Sequence, residues 1–208
     1  MIFGPLLIVS RLRRVTPQML LIAGVAFMTL TLVAVGKSEL DPCQLIKLAQ
    51  AESLIGKSLV QNAGELPSQN GIQSKSCFYS NKDFSNRPGS APAKQFLEVT
   101  ISSFASTELA IQTITALKDQ MVKAIQSGNQ SPKMKGARVL AVTSFGKNAF
   151  ILEIPIPSNP QQPKPLVTRL YWQKDRVQIE VMAWVLNPTP SSLEITTKAA
   201  QLIGKNLP

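Results

Sequence analysis

The chain has 208 residues, with 22 lysines and arginines against 12 aspartates and glutamates, and it contains no histidine. Without histidine, the Ser-His and Cys-His catalytic pairs and most zinc and haem sites are excluded, which lowers the expectation of an enzyme. The basic residues are spread along the chain without interleaved aromatic residues, so we expect a solubilising surface and no nucleic-acid partner.

An uncharged apolar run begins at Met19 and ends at Gly36, and it follows Arg11, Arg13 and Arg14. As a helix it would be roughly 27 Å long, about the thickness of the hydrocarbon core of a bilayer. The arginines favour the cytoplasmic side, so the rest of the chain is expected on the other side of the membrane. We therefore divide the chain into a targeting segment, residues 1–36, and an extracytoplasmic domain, residues 37–208.

The targeting segment has two possible forms. The long apolar run favours an uncleaved single-pass anchor in the cell membrane. The small residues Ala34 and Gly36 are also typical of a signal-peptide cleavage site, and cleavage near Gly36 would give a secreted domain.

Three segments after the targeting segment place apolar residues at helical spacing, with favourable capping residues before them. They run from Pro42 to Gly56, from Ser106 or Thr107 to Gly128, and from Ser191 or Ser192 to about Ile203. Between them, six short segments have the composition or alternation of strands. These are residues 74–81, 95–105, 137–143, 149–156, 166–172 and 177–186.

The last four strands form two predicted hairpins, which indicates an antiparallel sheet. Residues 57–71 are polar and are predicted to form a loop, as is the segment 155–165 with its five prolines. Helices must cover at least one face of such a sheet, so the predicted fold is α+β in one domain, with an antiparallel sheet and covering helices after the N-terminal helix.

The strongest hairpin carries three large aromatic residues, Tyr171, Trp172 and Trp184. On its second strand, Val177 and every second residue to Val185 share the face expected to pack on the core, whereas Met182 and Trp184 lie on the other face. The aromatic residues either pack in the core or form a candidate binding surface for an apolar ligand or a partner protein.

Cys43 and Cys77 are the two cysteines of the chain, and both lie in the exported part. Two thiols in an oxidising compartment usually pair, so we predict a disulfide between the first helix and the first strand. Closing this loop would stabilise the fold by about 3–4 kcal/mol in the chain-entropy model.

No other motif predicts a metal, a cofactor or a catalytic residue. Residues 51–58 match a relaxed phosphate-loop pattern, but they lie at the end of a predicted helix, where Gly56 is expected to be the C-cap. The carboxylates Glu98, Glu153 and Glu180 are spread over several predicted strands, the ordinary place for solvent-facing acidic residues.

Several short motifs resemble the Asp-Pro-Cys exported proteins of unknown function, which are mostly actinobacterial lipoproteins. The matching stretches are Asp41-Pro42-Cys43, Cys77-Phe78, residues 142–150 and residues 199–203. The resemblance implies a paired Cys43 and Cys77 and an antiparallel α+β sandwich like that of the photosystem extrinsic proteins and their relatives. The chain departs from these proteins by having no lipobox, so acylation does not carry over, and the resemblance assigns no catalytic residue.

These observations together favour a non-catalytic binding or accessory module of the cell envelope, held to the membrane through residues 19–36. One alternative is an accessory subunit of an integral membrane complex. Another is a histidine-free hydrolase of envelope polymer, which would need two carboxylates, or a serine and a lysine, to converge in a pocket.

Overall fold

The computed structural model describes residues 40–69, 72–81, 95–127, 134–156, 166–185 and 190–207. The predicted membrane segment, residues 19–36, and most of the proline-rich segment lie outside these residues. The helices of the described ranges are α1 (Pro42–Leu45), α2 (Leu48–Ile55), α3 (Thr107–Gln126) and α4 (Ser192–Asn206). None of them is long and apolar enough to cross a membrane.

Seven described strands form one antiparallel sheet, which confirms the predicted α+β fold class. They are β1 (Val60–Gln69), β2 (Ile72–Ser80), β3 (Gln95–Ser103), β4 (Arg138–Ala141), β5 (Phe150–Pro155), β6 (Leu166–Lys174) and β7 (Val177–Val185). Their spatial order is β1-β2-β3-β7-β6-β5-β4. Strands β3 and β7 are therefore neighbours near the middle of the sheet, although residues 104–176 separate them in the sequence.

The first face of the sheet is covered by α1, α2 and α4 and carries the main core. One row of side chains crosses all seven strands on this face: Ala63, Cys77, Val99, Val181, Leu170, Ile151 and Leu140. The buried side of α4, which includes Ile195, Ala199 and Ile203, packs against this row. Every second residue of β7 from Ile179 to Val185 is buried in this core, as the alternation predicted.

The second face of the sheet is partly covered by α3, which packs against β4, β6 and β7. Ile114 of α3 is fully buried in a smaller apolar cluster with Phe150, Leu152 and Tyr171. Ser106 caps this helix as predicted, because its hydroxyl accepts a hydrogen bond from the Leu109 amide at 3.1 Å.

A disulfide joins Cys43 of α1 to Cys77 of β2, with the two Cα atoms 5.1 Å apart, as predicted. The Asp41 carboxylate caps α1 by accepting a hydrogen bond from the Cys43 amide at 2.9 Å. The buried Tyr79 hydroxyl donates to the Ile46 carbonyl oxygen next to this linkage. The disulfide and this hydrogen bond thus hold residues 41–46 to the sheet.

Three predictions for local structure were wrong in part. Residues 57–71 were predicted as a loop, but most of them form the edge strand β1, whose polar residues are tolerated because it pairs on one side with β2. The single predicted first helix is divided into α1 and α2, because Ile46 takes an extended conformation and buries its side chain. The last helix continues through Gly204 to Asn206.

Candidate binding site on the second sheet face

The three aromatic residues predicted as a binding surface do not line one surface in the structure. Tyr171 is buried on the second face and stacks on Phe150, with ring centroids 4.8 Å apart. Trp172 is buried on the first face, where it contacts Phe145. Successive strand residues point to opposite faces, so these two neighbours could not share a surface.

Trp184 is partly exposed on the second face and belongs to a different group of residues. Its ring lies against Phe96, with centroids 5.8 Å apart. Around this pair, partly exposed side chains of the four strands β2, β3, β7 and β6 form what we call the β3–β7 patch. Its members are Phe78, Phe96, Glu98, Arg169, Glu180, Met182 and Trp184.

The strand register brings these residues together from distant parts of the sequence. Phe78, Glu98, Met182 and Arg169 are successive cross-strand neighbours and form one row over the patch. Phe96 and Trp184 form the adjacent row. Glu180 lies one row to the other side of Glu98, opposite Thr100. Directly opposed side chains on one face of a sheet lie close enough to interact.

The charged residues of the patch differ in their partners: Arg169 and Glu180 pair with each other, whereas Glu98 contacts a neutral hydroxyl. Arg169 Nη1 lies 3.2 Å from Glu180 Oε1 and donates a second, longer hydrogen bond of 3.4 Å to the Tyr171 hydroxyl. Glu98 Oε1 accepts a hydrogen bond from the Thr100 hydroxyl at 3.3 Å. The ion pair is partly shielded from solvent, since the side chains of Arg169 and Glu180 are 36% and 23% exposed.

The environment of the patch favours the neutral form of its carboxyl groups. Burial, reinforced by the negative charge of Glu180, raises the pKa of Glu98 to about 7. Burial also raises the pKa of Glu180, although Arg169 opposes this effect. Desolvation therefore dominates over the attraction of the single guanidinium group.

Among the residues that the structure describes, three buried polar atoms on the second face have no hydrogen-bond partner. They are Arg169 Nε, Gln178 Oε1 and Trp184 Nε1. Two of them belong to the patch, and Gln178 lies one residue pair beyond Glu180 along β7. Two further buried atoms without a partner, Ser103 Oγ and Thr168 Oγ1, lie on the first face, so such atoms occur on both faces of the sheet.

The remaining sequence candidates lie elsewhere. Glu153 is buried on the first face and pairs with Arg138 across β4 and β5. Gly56, in the phosphate-loop-like stretch, follows the last turn of α2 with φ +106°, as expected of a helix C-cap. Within the described residues, no group of three or more acidic or cysteine side chains could hold a metal ion.

Sequence reasoning missed the convergence of Glu98 and Glu180. Their alternation within each strand placed both on polar faces, but only the pairing of β3 with β7 makes those faces the same one. The available signal was the presence of one acidic residue on the non-core face of each of two strands, and it did not specify that the strands are neighbours.

Comparison with known proteins finds no matching family model and no matching curated protein sequence. The structure is similar to the crystal structure of the extracellular domain of PknH from Mycobacterium tuberculosis, with a TM-score of 0.54 and 8% sequence identity. The match covers 78% of this chain and 94% of that chain. At this level of identity the similarity shows a shared fold.

Proposed function

We propose that this protein is a non-catalytic, extracytoplasmic binding module of the cell envelope, and that it binds through the β3–β7 patch. Residues 37–208 form the exported domain, and residues 19–36 hold it in the membrane. The similarity in fold to an extracellular domain and the Cys43–Cys77 disulfide support this location, since disulfides persist in oxidising compartments.

The observation that carries the binding role is the composition of the patch. Aromatic and thioether side chains, an ion pair and an additional carboxylate lie side by side on a partly exposed sheet face, whereas the opposite face is buried under three helices. Partly exposed apolar groups beside a few polar groups in fixed positions are typical of binding sites.

The same surface is suited to an accessory subunit of a membrane complex. In that form the partner is a protein held beside this domain by the shared membrane. The resemblance to the Asp-Pro-Cys exported proteins is consistent with either form, because it assigns no chemistry to the domain.

Site-specific photo-cross-linking tests the proposal. A photoreactive residue at Met182, in the patch, should cross-link a ligand or partner in native membranes, whereas one at Leu66 on the exposed strand β1 should not. Native electrophoresis and mass spectrometry of the product would then identify the partner and show whether residues 1–36 are retained. Equal cross-linking from both positions, or none from Met182, would contradict a binding role for the patch.

A second candidate function is supported by the carboxylate pair. Glu98 and Glu180 lie on one face at diagonal positions of β3 and β7, and two carboxyl groups in different environments can act as general acid and base in glycoside hydrolysis. One would protonate the leaving oxygen while the other activates the attacking water. The appearance of new reducing ends in cell-wall polysaccharide, lost in Glu180→Gln, would favour this hydrolase over the binding module.

A further inference from the structure

We infer that the β3–β7 patch binds an organic cation, an amine or quaternary ammonium group carried on hydrocarbon, with Glu98 as its counter-ion. The inference rests on the proposed binding role of the patch and specifies the chemistry of what it binds.

The charge balance of the patch leaves Glu98 as its uncompensated group. Arg169 forms an ion pair with Glu180, whereas the hydrogen-bond partner of Glu98 is the neutral Thr100 hydroxyl. Among the described strand residues of the second face, these two glutamates and one arginine are the charged side chains. When both carboxyl groups are ionised, the face is therefore net negative, although the whole chain has 22 basic and 12 acidic residues.

The helix packed on the second face does not supply the missing cation. Its charged side chains are Glu108, Lys118, Asp119 and Lys123, and three of these are exposed, while Lys118 is partly exposed. The charged groups that act on the Glu98 carboxyl are Glu180, which disfavours its ionisation, and Arg169, which favours it less strongly. A cationic ligand would provide the counter-charge that the fold leaves out.

The neighbours of Glu98 select an organic cation over a metal ion. Its two cross-strand neighbours are Phe78 and Met182, and the aromatic pair Phe96–Trp184 lies in the adjacent row. Ammonium groups are attracted to aromatic faces, and their hydrocarbon substituents gain from contact with apolar side chains. Calcium and magnesium instead require several oxygen ligands, and one carboxylate among apolar groups does not supply them.

A proton and the proposed ligand compete for the same carboxylate, which gives the inference a measurable signature. Because the pKa of Glu98 is about 7 in the unliganded protein, binding should become about tenfold tighter between pH 6 and pH 8 as the carboxyl ionises. A neutral ligand on the same apolar surface would show no such increase.

The experiment is an isothermal titration of the full chain in mild detergent with choline and with its neutral isostere, 3,3-dimethylbutan-1-ol. We expect choline to bind, with the pH dependence described above, and the isostere to bind at least about tenfold more weakly, as for the loss of one desolvated cation–carboxylate contact. Glu98→Gln should reduce the difference between the two compounds to the contribution of the aromatic side chains. Glu65→Gln, on the exposed edge strand, is the matched control and should keep it.

Vesicles distinguish the possible sources of the cation. Binding to phosphatidylcholine vesicles but not to phosphatidylglycerol vesicles would identify a lipid headgroup, whereas binding of free choline alone would identify a soluble amine. Equal affinity for choline and its isostere, no binding of choline, or an unchanged affinity in Glu98→Gln would each overturn the inference. If cross-linking from Met182 still captures a partner in that case, the proposed binding function stands without the cationic ligand.

Discussion

The carboxyl group of Glu98 lies between Phe78 and Met182, in surroundings that favour its neutral form. Its pKa rises from the ordinary 4.5 to about 7 on folding, so between these pH values the folded chain binds more protons than the unfolded chain. The contribution of Glu98 to stability is therefore greatest below pH 4.5, and it is lost as the pH rises to about 7.

At the residue scale, we predict that Glu98→Gln raises the free energy of unfolding at pH 8 by about 2 kcal/mol, a value reduced from the full pKa shift because the side chain is partly exposed. The same substitution should have little effect at pH 4. Urea unfolding of both proteins at the two pH values measures this difference. Glu65→Gln serves as the control, and parallel pH profiles for the wild type and Glu98→Gln would show that burial does not oppose ionisation at this site.

The residues of the patch also show where sequence reasoning ends. The placement of Met182 and Trp184 on the non-core face of β7 could be predicted, because alternation within one strand is a local property. The meeting of Trp184 with Phe96, and of Glu180 with Glu98, depends on the pairing of β3 with β7. Strand order is set by the packing of the whole sheet, and no local pattern in the two strands specifies it.

At the element scale, α3 packs on the second face through two fully buried side chains, Ala110 and Ile114, and Ile114 lies in a cluster with Phe150 and Tyr171. We predict that Ile114→Ala lowers the free energy of unfolding by about 2–4 kcal/mol, since it leaves a cavity in a packed cluster. Ile111→Ala, on the exposed side of the same helix, makes the same chemical change and should cost less than about 1 kcal/mol. Denaturation curves with equal losses for the two variants would contradict this packing.

The disulfide acts at the same scale, because it fixes α1 to β2 across a sequence separation of 34 residues. We predict that the double variant Cys43→Ser/Cys77→Ser unfolds with about 3–4 kcal/mol less free energy than the oxidised wild type. Wild-type protein unfolded with a reductant present should match the double variant. A stability independent of reduction would mean that buried contacts alone hold α1 in place.

Elements with clear periodicity could be predicted, and elements without it could not. The helix α3 and the hairpin of β6 and β7 have long apolar stripes and capping residues, and both were predicted close to their observed bounds. The edge strand β1 is polar along most of its length and contains Gly64 and Pro67, so its sequence is that of a loop. Its extended conformation comes from hydrogen bonding to β2, a tertiary contact.

At the scale of the whole molecule, the predicted orientation of the chain connects the arginines before the apolar run with the cysteine pair. The positive charges are expected to keep the N-terminus in the cytoplasm and thereby place residues 37–208 in the oxidising compartment where Cys43 and Cys77 pair. The oxidation state of the two cysteines should therefore report the orientation of the chain in the membrane.

We predict that replacing Arg11, Arg13 and Arg14 by glutamate leaves a large fraction of the chains with two free thiols, because the domain is no longer directed across the membrane. Acid quenching of the cells, followed by denaturation, alkylation with a mass-tagged maleimide and electrophoresis, measures that fraction. Glutamate at Lys47, Lys147 and Lys205 changes the net charge equally but lies outside residues 1–36, so it should leave the cysteines paired. If the arginine variant were fully oxidised, the orientation of the chain would have to come from the apolar run itself, independently of the charges before it.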